Sequence, residues 1–143
     1  MSVNPKILYV EDDTFSREIM TVLITEVLGY QDFVVYQDSS KFEEKLATVP
    51  FVPDIIFLDI HMEPVDGFEL LKICRAKTHL DKTPIIALTA SIMAEEVNDI
   101  RQEGFDGLVG KPINQLTFPD LLQRIIQGEE VWDEVWDLDD DFA

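Results

Sequence analysis

Short apolar runs alternate five times with stretches of helical period along this chain. The first run, Ile7-Leu8-Tyr9-Val10, stops at Glu11-Asp12-Asp13. Phe15, Ile19, Val22, Leu23, Val27 and Leu28 then recur at helical spacing until Gly29, a residue suited to ending a helix. Residues 33–36 read as a second strand. Ser40 and Glu43, three apart, have capping-box spacing and predict a short helix to about Thr48. Residues 53–59 carry four consecutive apolar positions, the pattern of a strand buried on both faces, and end on the carboxylate of Asp59.

After a loop over 60–66, Phe68, Leu71, Ile73 and Cys74 mark a third helix, and Pro84 opens a strand over 85–89. Ser91 is placed to cap a helix over 92–103 that Gly104 ends, and a fifth strand follows over 105–110. Thr117-Phe118-Pro119-Asp120 starts a last helix, with Leu121, Leu122, Ile125 and Ile126 inward and Gly128 at its end. Alternation of this kind predicts an α/β fold, a doubly wound five-stranded parallel sheet with five helices. It occupies residues 1–128 as one domain, and residues 129–143 form a separate acidic, Trp-containing tail.

Composition narrows the function. With 29 Asp and Glu against 11 Lys and Arg, the net charge of −18 argues against direct nucleic-acid binding, which needs clustered cations. Eight acids and no base fall in residues 129–143, so the remaining 128 residues carry −10. No apolar stretch approaches the roughly 18 to 20 residues of a membrane span. The N-terminus has no secretory signal pattern, and the lone Cys74 has no partner for an internal disulfide. A reduced, cytoplasmic protein is expected.

Ligands of open parallel sheets bind beyond the carboxyl ends of the strands. Those ends carry Glu11-Asp12-Asp13, Asp59, Thr89 and Lys111-Pro112. Gathered carboxylates repel one another, and a hard divalent cation with oxygen ligands relieves them. Mg²⁺ suits a small open cluster that keeps waters and is completed by phosphate oxygens. With a metal and Lys111 neutralising charge, Asp59 could attack a phosphoryl group in line.

Taken in order, ILYVEDD, IIFLDIHMEPVDG, PIIALTA and GLVGKP resemble the receiver domain of bacterial response regulators over roughly residues 5–128. The resemblance implies the flavodoxin-like strand order 2-1-3-4-5 and a stand-alone receiver of the chemotaxis-regulator kind. It makes Asp59 the phosphoacceptor, Asp12 a direct Mg²⁺ ligand, Glu11 a ligand through water and the backbone carbonyl of His61 a third contact. Thr89 would bond the phosphoryl oxygen, Lys111 would pair with it, and Lys111-Pro112 would be cis. Partners would be a histidine kinase or histidine phosphotransfer protein and a downstream protein target, with a homodimer left open. The domain would be no enzyme beyond assisting its own phosphorylation and dephosphorylation. Two departures stand out: Leu108 replaces the aromatic that relatives carry three residues before the lysine, and Met62-Glu63-Pro64 replaces the common Met-Pro.

Competing readings are a flavodoxin-like electron carrier, which Glu11-Asp12-Asp13 disfavours by repelling a cofactor phosphate, and a pseudo-receiver that binds proteins without phosphorylation. Asp13 and Asp66 read as helix caps, His61 and His79 lack zinc-site spacing, and Cys74 reads as a small core residue. In the tail, Val131, Trp132, Val135 and Trp136 form two i, i+4 pairs, so a helix there would show one aromatic and one acidic face. The alternative is a disordered acidic tail; against it, two tryptophans are costly to leave in water, and the segment is expected to dock on the domain itself, on a second copy or on a partner with basic rims.

Overall fold

The computed structural model describes residues 4–91 and 93–132. Five strands, β1 (Ile7–Val10), β2 (Phe33–Tyr36), β3 (Ile55–Asp59), β4 (Ile85–Thr89) and β5 (Gly107–Gly110), pair in parallel in the order β2-β1-β3-β4-β5. The helices are α1 (Thr14–Thr21), α2 (Phe42–Ala47), α3 (Gly67–Arg75), α4 (Ala94–Glu103) and α5 (Phe118–Ile126). Their alternation with the strands places them on both faces of the sheet, as the apolar runs predict.

Successive strand residues point to opposite faces, so each run feeds two cores. Leu8, Val10, Ile56, Leu58 and Ala87 pack with Phe42 of α2, Leu70, Leu71 and Cys74 of α3 and Ile100 of α4. Ile7, Tyr9, Ile55, Phe57 and Leu88 pack with Met20, Leu23 and Ile24 and with Phe118, Leu122 and Ile125 of α5. Each fully buried Leu, Ile or Phe contributes roughly 1.5 to 3 kcal/mol relative to an exposed one. That two-sided burial fixes the register and thereby what stands at each strand's end.

Three local expectations are corrected. The first helix buries Ser16, Met20, Leu23 and Ile24, whereas Phe15, Val22 and Val27 of the expected stripe are exposed. Its second half, Val22–Val27, is π-helical, with Leu28 N–H donating to the Leu23 carbonyl five residues back, so a constant 3.6-residue period misjudges its phase. Ser91 does not cap α4: Met93, in extended conformation, is the N-cap, and the Ser91 N–H donates to Thr89 Oγ1 at 3.0 Å. Ser40 forms no capping box either. Its hydroxyl donates to Asp38 Oδ1 at 2.5 Å, and Lys41 at φ 52° precedes α2.

The packed body runs beyond Gly128. Leu108 N–H donates to the Val131 carbonyl at 2.8 Å, and Trp132 forms a parallel bridge with Leu108 on the outer side of β5. Val131 is 3% exposed. An extended pair sends Val131 into the α1/α5 core and Trp132 against the α2–α4 core, where Arg101 lies 4.2 Å from the indole centroid. Trp132 is thus held in a strand bridge and not on a helical face. Val135 and Trp136 lie outside the described residues.

Candidate functional site

Strand register brings the chemistry to one edge. Asp59 pairs with Leu88 and Thr89 with Gly110, so Asp59, Thr89 and Lys111 emerge side by side. Lys111 N–H donates to the Thr89 carbonyl at 2.9 Å and Glu11 N–H to the Tyr36 carbonyl at 3.0 Å. Behind Asp59 the chain turns into α3, capped by Asp66, whose carboxylate accepts from the Glu69 N–H. Gly67 is required there: a Cβ would lie 2.5 Å from the Asp59 carbonyl oxygen and 2.8 Å from the Ile60 Cα. Asp13 likewise caps α1, accepting from the N–H and hydroxyl of Ser16, and these bonds hold its carboxyl below the usual range.

Three ionisable groups share the buried part of the site. Glu11 is fully buried; its carboxylate accepts from the Tyr9 hydroxyl at 2.9 Å and from Lys111 Nζ at 3.1 and 3.2 Å. Lys111 Nζ also stands 3.4 Å from Asp59 Oδ1. Asp59 is 2% exposed. Its burial, then its hydrogen bond with Glu11 and that residue's charge, push its carboxyl up to about 8 against the opposing pull of Lys111. Burial works against the charge of Lys111, but Glu11 and Asp59 outweigh it and raise its pKa. Burial first and Glu11 second drive the Tyr9 phenol upward.

Glu11, Asp12 and Asp59 each offer one carboxylate oxygen within 4.8 Å of the others, with Asp12 exposed. An all-oxygen set with one open side fits a hard divalent cation that retains waters. Such a cation would favour the ionised form of Asp59, which burial and Glu11 disfavour. The arrangement therefore pairs a carboxylate nucleophile with a place for metal and an ammonium group.

Of the residues expected at this site, Glu11, Asp12, Asp59 and Lys111 come together. Thr89, fully buried, directs its hydroxyl to Glu96 Oε1 at 3.1 Å. The His61 ring, on the loop after β3, lies with Nε2 2.6 Å from the same oxygen. Lys111-Pro112 is cis, and so is Glu63-Pro64 in the altered loop. Leu108 is buried in the α2–α4 core. Cys74 is buried too, and burial pushes its thiol up to about 12 against the effect of Arg75.

Sequence reasoning missed Tyr9 and Glu96. Strand alternation could have found the first, because positions 9 and 11 share a face. Glu96 is separated from His61 by 35 positions, and no local pattern links them.

Comparison with known proteins bears directly on this arrangement. The family model for the response regulator receiver domain matches residues 7–125. Chemotaxis protein CheY-3 of Vibrio cholerae is 27% identical over 131 residues, covering 89% of this chain and 95% of that protein. Hybrid signal transduction histidine kinase A of Dictyostelium discoideum is 30% identical over 123 residues, 83% of this chain; the chain spans only 6% of that kinase's length. Among solved structures, the receiver domain of a sensor histidine kinase from Pseudomonas aeruginosa, with a magnesium ion coordinated in its active-site cleft, superimposes with a TM-score of 0.74. It is 25% identical, over 87% of this chain and 99% of that one.

Proposed function

The chain belongs to the response regulator receiver domain family, and on that premise we propose that it is a receiver phosphorylated on Asp59 with Mg²⁺. The observation that carries this reading is the buried Asp59 carboxylate at the end of β3, with Lys111 Nζ at 3.4 Å and the Glu11 and Asp12 carboxylates beside it. A carboxylate oxygen of Asp59 attacks the phosphorus of a phosphohistidine on a histidine kinase or phosphotransfer protein. The P–N bond breaks, and its electron pair stays on the imidazole nitrogen. Asp12 and Asp59 would ligate the metal directly, Glu11 through water, and the His61 carbonyl would complete the protein's share. Mg²⁺ would supply charge neutralisation on the phosphoryl oxygens.

Lys111 would move from its shared pairing with Glu11 toward the phosphoryl group, and Thr89 would donate its hydroxyl to a phosphoryl oxygen. The protein assists its own phosphorylation and dephosphorylation and turns over no other substrate. Phe15, Met93 and Leu116, on segments that follow β1, β4 and β5, are 61%, 69% and 91% exposed around the same edge. They offer apolar purchase to the phosphodonor. The added charge, roughly −1.5 to −2, would then bias binding to a downstream protein. Among the described residues no helix is long and apolar enough to cross a membrane, and the lone reduced thiol suits the cytoplasm, where we place the protein.

Intact-protein mass spectrometry after incubation with a small acyl phosphate tests the reading. One phosphoryl adduct is expected in wild type with Mg²⁺, and none without the metal or in Asp59→Asn. Absence of any adduct, with the donor verified on another receiver, would leave a protein-binding module that works without phosphorylation.

A further inference from the structure

Glu96 stands in the first turn of α4, where a carboxylate already gains from the helix dipole. Its side chain does more than sit there. Oε1 accepts the Thr89 hydroxyl hydrogen at 3.1 Å and lies 2.6 Å from His61 Nε2. One carboxylate oxygen thereby ties the end of β4, the loop after β3 and the start of α4. The Thr89 oxygen accepts from the Ser91 N–H at 3.0 Å, which fixes the hydroxyl from the other side.

A threonine hydroxyl has one proton to donate. While that proton serves Glu96 it cannot serve a phosphoryl oxygen on Asp59. Resting on the phosphoacceptor reading, we propose that Glu96 is a latch, a positioning residue that holds the Thr89 hydroxyl away from Asp59 until phosphorylation draws it across. The exchange makes and breaks no covalent bond: Thr89 Oγ1–H leaves the Glu96 oxygen for a phosphoryl oxygen. A contact made in the unphosphorylated state and lost in the phosphorylated one opposes phosphorylation by its own free energy. Its release unties the end of β4 from the first turn of α4 and leaves Glu96 to His61 alone, so the event at Asp59 is conveyed to that helix.

The test is time-resolved phosphorylation by an acyl phosphate with Mg²⁺, followed by intact mass, in wild type, Glu96→Ala, Thr89→Ala and the double variant. Urea unfolding of the same four proteins without donor accompanies it. Glu96→Ala is expected to take up phosphate roughly two- to tenfold faster, the equivalent of one net hydrogen bond. It should bring no acceleration in the Thr89→Ala background, and unfolding should show the two positions coupled. Equal acceleration in both backgrounds would mean simple charge relief and would overturn the latch, as would equal rates in wild type and Glu96→Ala. Wild type that takes up no phosphate would instead overturn the phosphoacceptor reading, and the latch with it.

Discussion

The Asp59 carboxyl holds its proton to high pH because β3 ends in the core and not in solvent. In the unfolded chain its carboxyl ionises near pH 4, whereas in the folded, metal-free protein it is pushed up to about 8. Between those values the folded state binds more protons than the unfolded state, so this group lowers stability as pH rises. Asp59→Asn removes the ionisation. It is expected to stabilise the metal-free protein relative to wild type by at least about 1 kcal/mol at pH 8 and progressively less toward pH 5. Urea unfolding with a chelator at several pH values measures this; a difference that does not vary with pH would show that Lys111 keeps Asp59 ionised throughout. Asp12, the exposed member of the cluster, tests the metal. Mg²⁺ at a hundredfold excess over its dissociation constant should stabilise wild type by about 2.7 kcal/mol, and Asp12→Asn should lose most of that gain. At this scale the acidic cluster was legible in the sequence because strand ends converge wherever a parallel sheet forms. The partner of Thr89 was not, because the side chains that meet at Glu96 come from separate elements and obey no period.

Elements set these residues in place through backbone proximity as much as through packing. The start of α3 presses on the end of β3 so closely that a Cβ at Gly67 would meet the Asp59 carbonyl at 2.5 Å. Backbone on both sides cannot give way as a flexible side chain would. Gly67→Ala is therefore expected to cost about 1 to 3 kcal/mol and to slow phosphorylation by displacing Asp59, read by unfolding and intact mass in parallel. Loss of stability with an unchanged phosphorylation rate would show that α3 yields and β3 does not. Apolar runs made β3 and β4 legible almost to the residue, since a strand buried on both faces leaves an unbroken signal. The face of α1 was misjudged because the π-helical stretch Val22–Val27 changes the period. The start of α4 was misjudged because Ser91 is turned to β4, its N–H bonded to the Thr89 hydroxyl oxygen, and Met93 takes the N-cap position instead.

Considered whole, the molecule has two edge strands treated differently. The residues of β2 are only half-buried, whereas those of β5 are buried throughout and carry Val131 and Trp132 on the outer side. An uncovered edge is a template for unwanted pairing, and here the chain covers one edge with its own backbone. Gly107 permits the approach, since a Cβ there would lie 2.6 Å from the Val131 carbonyl oxygen. Helical spacing in the sequence concealed this role, because two adjacent apolar residues such as Val131-Trp132 satisfy a strand only when layers on both sides receive them. Two truncations separate the packed segment from the acidic one. Ending the chain after Trp132 removes six acids, so net charge falls from −18 to −12, but it keeps the contacts of Val131 and Trp132 to β5 and should leave the urea midpoint close to that of the full chain. Ending it after Gly128 also removes the buried Val131, the half-buried Trp132 and the bond from Leu108. It is expected to cost roughly 2 to 4 kcal/mol and to promote self-association through the bared edge, measured by sedimentation. If instead both truncations lowered stability equally, residues beyond Trp132 would carry the stabilisation; if neither did, β5 would need no cover.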